Sequence, residues 1–282
     1  MPKIAIVTDS TAYLPKHLID QYKITVVPLS LLWDGVVYLD GIDIQPGEFY
    51  QRLEKSKTIP TTSQATVATF TQVFERLAGE GYEILTITIS SKLSGTMDSA
   101  VQARAELPDA KIELVDSFST SLGMGMPTLM AARLAEQGAS LAECKAIVEK
   151  GRDNSGLFLV VDTLEFLHRG GRIGGGARFL GTALKLKPIL ELANGKLEAV
   201  ERVRTKGKAL DRMVELVRAQ INERSPVHLG VIHANAEAEA QVVLAEASNI
   251  LNPVESYIVP VSPAIGTHTG PGVVGLAYMA GL

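Results

Sequence analysis

Short apolar runs rich in β-branched residues alternate, over the first half of the chain, with longer stretches of helical period. This alternation is typical of a parallel sheet that is covered by helices on both faces. The predicted elements are strands over residues 3–9, 24–33, 83–89 and 111–115, and helices after Pro15 and over residues 46–56, 65–79, 95–106, 122–136 and 140–150.

A polar, turn-rich segment at residues 152–156 separates this pattern from a different one. In the second half, Asn194-Gly195 predicts a hairpin, because a type I′ turn needs a positive φ at both central residues. The sequence therefore predicts an α/β protein with an N-terminal α/β domain over residues 1–153 and a C-terminal α+β domain, with a mixed or antiparallel sheet, over residues 154–282. The elements predicted there are strands over 157–161, 228–233 and the chain end, a hairpin over 187–205, and helices over 208–221 and 237–251.

The composition narrows the class of protein. The chain has 282 residues, of which 46% are hydrophobic and 21% charged, and its net charge is −4. It can therefore bury a core, and it has no basic surplus of the kind that nucleic-acid binding requires. Cys144 is its one cysteine, which leaves no disulfide framework and no thiolate cluster for a metal. With no apolar run of ~18 residues and no signal-peptide pattern, we expect a cytoplasmic protein without metal, cofactor or nucleic-acid partner.

Two polar segments stand directly before predicted helices. Residues 60–64 read Pro-Thr-Thr-Ser-Gln, which provides either the cap of the next helix or hydroxyl groups for a ligand. Residues 90–96 read Ser-Ser-Lys-Leu-Ser-Gly-Thr and connect a predicted strand to a helix. In an open α/β sheet the crevice beyond the strand ends is the usual ligand site, and a helix N-terminus there favours an anion. A simple capping turn is the alternative for this second segment.

Two further segments are rich in glycine. Residues 262–272 form a predicted loop that carries His268 among small side chains, where the imidazole is either structural or part of a site. Residues 168–176 contain Arg169 and Arg172 and match neither the P-loop nor the dinucleotide-binding template. These arginines either hold a carboxylate or phosphate or lie on a mobile loop.

Taken together, six segments resemble the DegV family of bacterial fatty acid-binding proteins, in the order and at the spacing of that family. Each alone is a weak signal, but the six span nearly the whole chain. They are Ile-Val-Thr-Asp-Ser-Thr at 6–11, Thr-Ser-Gln at 62–64, Ser-Ser-Lys-Leu-Ser-Gly-Thr at 90–96, His-Arg-Gly-Gly-Arg-Ile at 168–173, Glu-Arg-Val-Arg-Thr-Lys at 201–206 and Gly-Thr-His-Thr-Gly-Pro-Gly at 266–272.

The resemblance implies a DegV-like fold of two domains with a ligand cleft between them. One long-chain fatty acid would lie there, with its carboxylate buried and its tail in an apolar tunnel. It also implies a lipid-binding protein with no catalytic residue of its own, which presents the acid to a separate fatty acid kinase. That kinase forms an acyl-phosphate for phospholipid synthesis, and transient contact with a membrane is compatible with this role. For the residues that match the family motifs, the resemblance implies that the carboxylate ligands are the hydroxyls of Thr62 and Ser94, the backbone around Gly95 and Gly266, and His268.

Some assignments stay open at this point. The resemblance places Arg172 and Arg202 either on the face that meets the kinase or near the carboxylate entrance. A serine-dependent acyl hydrolase or transferase would instead use Ser94 as nucleophile and His268 as base, although G-x-S-x-G is missing. A third alternative is an interaction protein with an empty cleft. The helix with Met124 and Met126 is either a wall of the tunnel or ordinary core.

Overall fold

The computed structural model describes residues 3–179 and 186–282, which fold into two main sheets and a small third sheet with flanking helices. The strands are β1 (Lys3–Asp9), β2 (Thr25–Val27), β3 (Ser30–Trp33), β4 (Val36–Leu39), β5 (Thr61–Ser63), β6 (Tyr82–Thr88), β7 (Ile112–Asp116), β8 (Ser155–Val160), β9 (Lys187–Ala193), β10 (Lys196–Val203), β11 (Val227–His233), β12 (Glu255–Pro260) and β13 (Val274–Ala280). The helices are α1 (Lys16–Gln21), α2 (Pro46–Lys55), α3 (Val67–Gly79), α4 (Thr96–Ala105), α5 (Leu122–Glu136), α6 (Leu141–Asp153), α7 (Glu165–Arg169), α8 (Lys206–Ile221), α9 (Glu237–Leu251) and α10 (Pro263–Thr269), with 3₁₀ turns at Ser10–Ala12 and Gly174–Phe179.

The first sheet is parallel and has the strand order β2-β1-β6-β7. Val7 of β1 pairs with Thr25 on one side and with Thr86 on the other. Five consecutive residues at the end of β1, Ala5 to Asp9, are buried, as expected for a strand covered by helices on both faces. The parallel α/β arrangement predicted for the first half is confirmed.

The second sheet is mixed and has the order β10-β9-β8-β13-β11-β12. Its neighbouring strands run antiparallel except β11 and β12, which are parallel. Asn194 and Gly195, between β9 and β10, have φ values of 50° and 80°, so the predicted hairpin is confirmed. The mixed sheet agrees with the α+β pattern predicted for the second half.

The small third sheet, β4-β3-β5, corrects two predictions. Residues 24–33 do not form one strand: β2 pairs in the first sheet and β3 in the third, with Pro28 between them. Proline lacks an N–H group and cannot continue a ladder, so the chain can leave the first sheet there. Residues 61–63 are a strand and not a helix cap; Thr66 caps α3 by accepting a hydrogen bond from Thr69 N–H at 3.1 Å.

Helix α5 lies between the two main sheets and contacts strands of both. It packs so closely on β11 that a Cβ at Gly230 would lie 2.6 Å from Leu122 Cδ1. Met124 and Met126 are buried in this helix and do not line the cavity described below, so they belong to the core. The domain division at 153/154 falls between α6 and β8 and stays a prediction. No described helix is long and apolar enough to span a membrane.

Candidate functional site

A cavity lies where the ends of the first and second sheets meet the third sheet and α10. Its volume is about 210 Å³, and its walls come from residues on both sides of position 153. Most of the lining is aliphatic: Leu29, Ile89, Leu93, Leu157, Leu159, Leu167, Leu192, Leu197, Ile232, Val261, Ala264, Ile265 and Val273. The polar lining residues are Thr62, Ser63, Gln64, Ser94, Gly95, Thr120, Arg172, His268 and Thr269.

Thr62 and His268 meet at the mouth of this cavity, although 206 residues separate them in the chain. The distance between Thr62 Oγ1 and His268 Nε2 is 2.7 Å. Thr62 is held by β5, where it pairs with Leu31 of β3. His268 lies in the last turn of α10, a helix that begins with Ser262 as its cap and Pro263 in the first turn. The segment 262–272 was predicted as a loop, and that prediction is wrong because this cap and proline start a helix.

Ser94 and Gly95 lie in the connection between β6 and α4. Ser94 Oγ is 2.9 Å from Thr96 Oγ1 and accepts a hydrogen bond from Thr96 N–H at 3.3 Å. Gly95 is the N-cap residue of α4, and a Cβ there would overlap the side-chain amide of Gln64. Within the described part of the chain, no hydrogen bond is formed by Gly95 N–H. The helix N-terminus therefore offers an unused donor beside the Ser94 hydroxyl.

Gly266 and Arg202 lie outside the cavity lining. Gly266 N–H donates to Ser262 O at 2.7 Å inside α10, and a Cβ on this glycine would overlap the Tyr50 hydroxyl. The small size of Gly266 thus lets α10 pack on α2, and its amide is already used. Arg202 is exposed on β10, with its guanidinium carbon 4.8 Å from the centre of the Phe179 ring.

Arg172 lies at the mouth of the cavity. Its Nε donates to Leu93 O at 3.1 Å and its Nη1 to Gly170 O at 2.7 Å, which ties the segment after α7 to the β6–α4 connection. Arg172, Thr62 and His268 also line a neighbouring surface groove of about 340 Å³, together with Lys57 and Arg169. The mouth therefore opens onto a groove that carries positive charge.

His268 is neutral near pH 7. Burial, with a smaller effect of the Arg172 charge, lowers the pKa of His268 to about 4. Its Nδ1 atom is buried and has no hydrogen-bond partner among residues 3–179 and 186–282. This nitrogen faces the backbone of Gly170, where a Cβ would overlap it. Gly170 thus permits the ring position that brings Nε2 to Thr62, a role that the sequence patterns did not reveal.

Two buried carboxyl groups lie behind the site and connect the elements that carry it. Asp9 accepts hydrogen bonds from Ile89 N–H at 2.7 Å and from Thr11 N–H at 2.9 Å, which fixes the end of β6 just before the Ser94 segment. Asp40 accepts from Ser10 Oγ at 2.7 Å and from Ala264 N–H at 3.2 Å, which fixes the start of α10. We call Asp9, Ser10 and Asp40 the buried brace.

Burial raises the pKa values of both acids in the brace. For Asp9 burial is the largest cause and the pKa is about 6, with the hydrogen bonds acting in the opposite direction. For Asp40 burial again dominates and the pKa is about 7, with a further increase from the nearby Asp9 charge. Asp9 stands in the segment 6–11 that contributes to the family resemblance, but Asp40 has no sequence signal because its partners lie far along the chain.

The fold and the cavity define an α/β protein with an aliphatic channel and a cluster of hydroxyl, amide and imidazole groups at its mouth. The chain belongs to the DegV family, since the family model described as an uncharacterised protein of the DegV family matches residues 3–281. Protein DegV of Bacillus subtilis is 36% identical over 278 residues, which covers 98% of each chain.

Solved structures of similar proteins have the same fold. A DegV family protein from Thermus thermophilus, described for its fatty acid binding, has a TM-score of 0.94 and 36% identity and covers 99% of both chains. A stearic acid-binding protein from Eubacterium ventriosum has a TM-score of 0.92 and 26% identity and covers 100% of this chain and 99% of its own.

Proposed function

We propose that this protein binds one long-chain fatty acid, with the carboxylate at Thr62, Ser94, Gly95 and His268 and the tail in the aliphatic channel. The observation that carries the proposal is the division of one cavity into an aliphatic interior and a polar mouth. The fatty acid ligands of the Thermus thermophilus and Eubacterium ventriosum proteins support it.

The two parts of the cavity would contribute differently to affinity. A tail of about fifteen methylene groups, at about 0.8 kcal/mol each, gains on the order of 12 kcal/mol before the cost of ordering. Each charge-assisted hydrogen bond to the carboxylate adds about 1.5–3 kcal/mol. The tail therefore supplies most of the affinity, and the polar mouth fixes the position of the carboxylate.

A buried carboxylate needs hydrogen-bond donors, since an unpaired charge would take up a proton. The tautomer of His268 with its proton on Nε2 donates to Thr62 Oγ1 across the 2.7 Å distance. Thr62 can then direct its own hydroxyl proton to the ligand. Ser94 Oγ and Gly95 N–H complete a set of neutral donors, and the charge of Arg172 at the mouth attracts the anion.

The protein would not transform the acid by itself. We propose that it acts in the cytoplasm and presents the carboxylate to a separate kinase, which forms an acyl-phosphate for phospholipid synthesis. The groove with Lys57, Arg169 and Arg172 supports this, because it gives a phosphate donor a positively charged approach to the cavity mouth. Arg172 is proposed to lie at the carboxylate entrance and exposed Arg202 on the face that meets the kinase.

A serine-dependent hydrolase is not favoured by any observation. Such an enzyme needs a hydrogen bond between the Ser94 hydroxyl and the His268 imidazole. Among the described residues, Ser94 Oγ pairs with Thr96 and His268 Nε2 pairs with Thr62. The imidazole therefore orients Thr62 rather than activating Ser94.

Extraction of the purified protein, followed by mass spectrometry, tests the binding proposal. We expect one long-chain fatty acid per protein, and its loss from the double variant Thr62→Ala, Ser94→Ala. Ser256→Ala, which removes an exposed hydroxyl on β12, is the matched control and should keep the ligand. Recovery of no lipid, together with no uptake of added fatty acid, would overturn the proposal.

A second experiment tests presentation to a kinase. Protein loaded with fatty acid and incubated with ATP alone should form no acyl-phosphate, whereas addition of a bacterial fatty acid kinase should produce it. Arg202→Ala should slow that reaction while fatty acid binding stays unchanged. Acyl-phosphate formation without added kinase would contradict this role.

A further inference from the structure

Among the described residues, the wall of the aliphatic channel contains a buried hydroxyl without a hydrogen-bond partner. Thr120 is 7% exposed and lines the cavity. Among the described residues of that lining, the buried side-chain polar atoms without a partner are Thr120 Oγ1 and His268 Nδ1. A buried hydroxyl without a partner is costly, and such groups are rare in folded proteins. The buried hydroxyls of Thr8, Thr86 and Ser121 also have no partner among the described residues, but they lie outside the cavity lining. His268 Nδ1 faces the backbone of Gly170, so the Thr120 hydroxyl is the group of this kind that a ligand in the cavity could pair with.

The backbone around Thr120 is held in a fixed and strained conformation. Its neighbours Phe118 and Ser121 have φ values of 47° and 49°, in the left-handed region that non-glycine residues seldom adopt. Ser119 O accepts from Ser90 N–H at 2.9 Å, and Ser121 N–H donates to Thr11 O at 2.9 Å. These positive φ values cost conformational free energy, and the surrounding hydrogen bonds hold the segment in place against the channel. Strained backbone of this kind is typical of functional positions.

Thr120 belongs to the interior of the channel rather than to its mouth. The surface groove shares Thr62, Arg172 and His268 with the cavity, but Thr120 does not line that groove. Its segment adjoins the aliphatic wall instead, since Ser119 is bonded to Ser90, the residue after Ile89. A fatty acid with its carboxylate at the mouth would therefore pass the Thr120 hydroxyl with its acyl chain.

We infer that Thr120 is a specificity-determining residue, which favours acyl chains that carry a hydrogen-bond acceptor part-way along over fully saturated chains. The acceptor is an oxygen substituent or the π electrons of a cis double bond. A saturated chain leaves the Thr120 hydroxyl unpaired, whereas an acceptor at the right depth pairs with it. The oxygen is the stronger acceptor, because hydrogen bonds to π systems are weaker. This inference rests on the proposed function.

Competition binding with octadecanoic acid, cis-9-octadecenoic acid and a series of hydroxyoctadecanoic acids tests the inference. In the wild-type protein at least one hydroxy acid should bind about two- to tenfold more tightly than octadecanoic acid, the range expected for one net hydrogen bond. The gain should depend on the position of the hydroxyl along the chain, and the cis-unsaturated acid should show a smaller one.

Thr120→Val, which keeps the shape and removes the hydroxyl, should bring these ratios close to one without weakening octadecanoic acid. Thr120→Ser should retain the preference. Unchanged ratios in Thr120→Val would overturn the inference, and so would an equal loss for every acid, which would place Thr120 at the carboxylate. If the valine variant does not fold, a wild-type protein that shows no preference within the series is sufficient to reject the inference. Failure of all the acids to bind the wild-type protein would instead reject the proposed function.

Discussion

The buried brace and the polar mouth of the cavity differ in how fully their polar groups are paired by hydrogen bonds. In the brace, carboxylate oxygens of Asp9 and Asp40 accept hydrogen bonds from backbone N–H and hydroxyl donors. At the mouth, Gly95 N–H and His268 Nδ1 have no partner within the described residues. The fold thus pairs the polar groups that hold its elements together, and over the described part of the chain it leaves the Gly95 N–H donor free at the cavity mouth, where a ligand would bind.

Removal of a carboxylate from the brace should have the largest effect of those we predict. Asp40→Ala leaves Ser10 Oγ and Ala264 N–H without their buried partner, so the free energy of unfolding should fall by about 2–6 kcal/mol, at about 1–3 kcal/mol for each unpaired group. Asp40→Asn retains an acceptor and should lose less. Urea denaturation measures both, with exposed Asp109→Ala as the control. A loss below about 1 kcal/mol for Asp40→Ala would show that the brace is not structural.

At the mouth, a small change in packing should affect binding more than stability. A Cβ at Gly170 would overlap His268 Nδ1, so Gly170→Ala should push the imidazole away from Thr62. Fatty acid affinity should fall about tenfold or more, the value of one charge-assisted hydrogen bond. Gly79→Ala is the matched control, because nothing lies within 4 Å of its added Cβ. Equal affinities of the two variants would mean that the ring position is not required.

The pH dependence of stability should have opposite signs in the two regions. The pKa of Asp40 is about 7 in the folded protein, against 3.8 as its ordinary value, so the folded state binds more protons between these values. The contribution of Asp40 to the free energy of unfolding therefore increases as the pH falls through 7, by about 1 kcal/mol between pH 8 and pH 6. The pKa of His268 falls from 6.5 to about 4, so its contribution is present above 6.5 and is lost as the pH falls toward 4.

Thermal unfolding between pH 4.5 and pH 8 separates these contributions. Asp40→Asn should remove the gain in melting temperature between pH 8 and pH 6.5 and leave the gain that Asp9, with its pKa of about 6, adds at lower pH. His268→Gln should abolish the loss below pH 6.5 and leave the Asp40 effect in place. If Asp40→Asn follows the wild-type profile, the carboxyl group does not titrate in this range.

Loss of a hydroxyl at the mouth should have the smallest effect on stability. Thr62 is only partly buried, so water can replace it as the partner of His268 Nε2 in the ligand-free protein. Thr62→Val should therefore change the free energy of unfolding by less than about 1 kcal/mol, while fatty acid affinity falls. Calorimetry of the ligand-free protein, combined with a binding titration, checks both statements. A loss as large as that of Asp40→Ala would remove the contrast between the two regions.

Local patterns identified the parts of the site that lie within one segment. The strand before Ser90 and the helix after Gly95 predicted a connection at a strand end, and the structure has β6 and α4 there. The break at Pro28 was not predicted, because the apolar run continues past this residue, yet the chain changes sheet there. Ser262 and Pro263 are the signals from which α10 could have been predicted.

Short-range sequence patterns were sufficient to predict the alternation of strands and helices, the Asn194-Gly195 turn and the polar segments in which a ligand site could lie, because propensity and periodicity act over short distances. Tertiary structure decided that Thr62 and His268 form one hydrogen-bonded pair and that Asp40 fixes the start of α10. It also decided that Thr120 lies on the channel wall. These relations depend on how separate elements pack against one another, and no local pattern of residues encodes that packing.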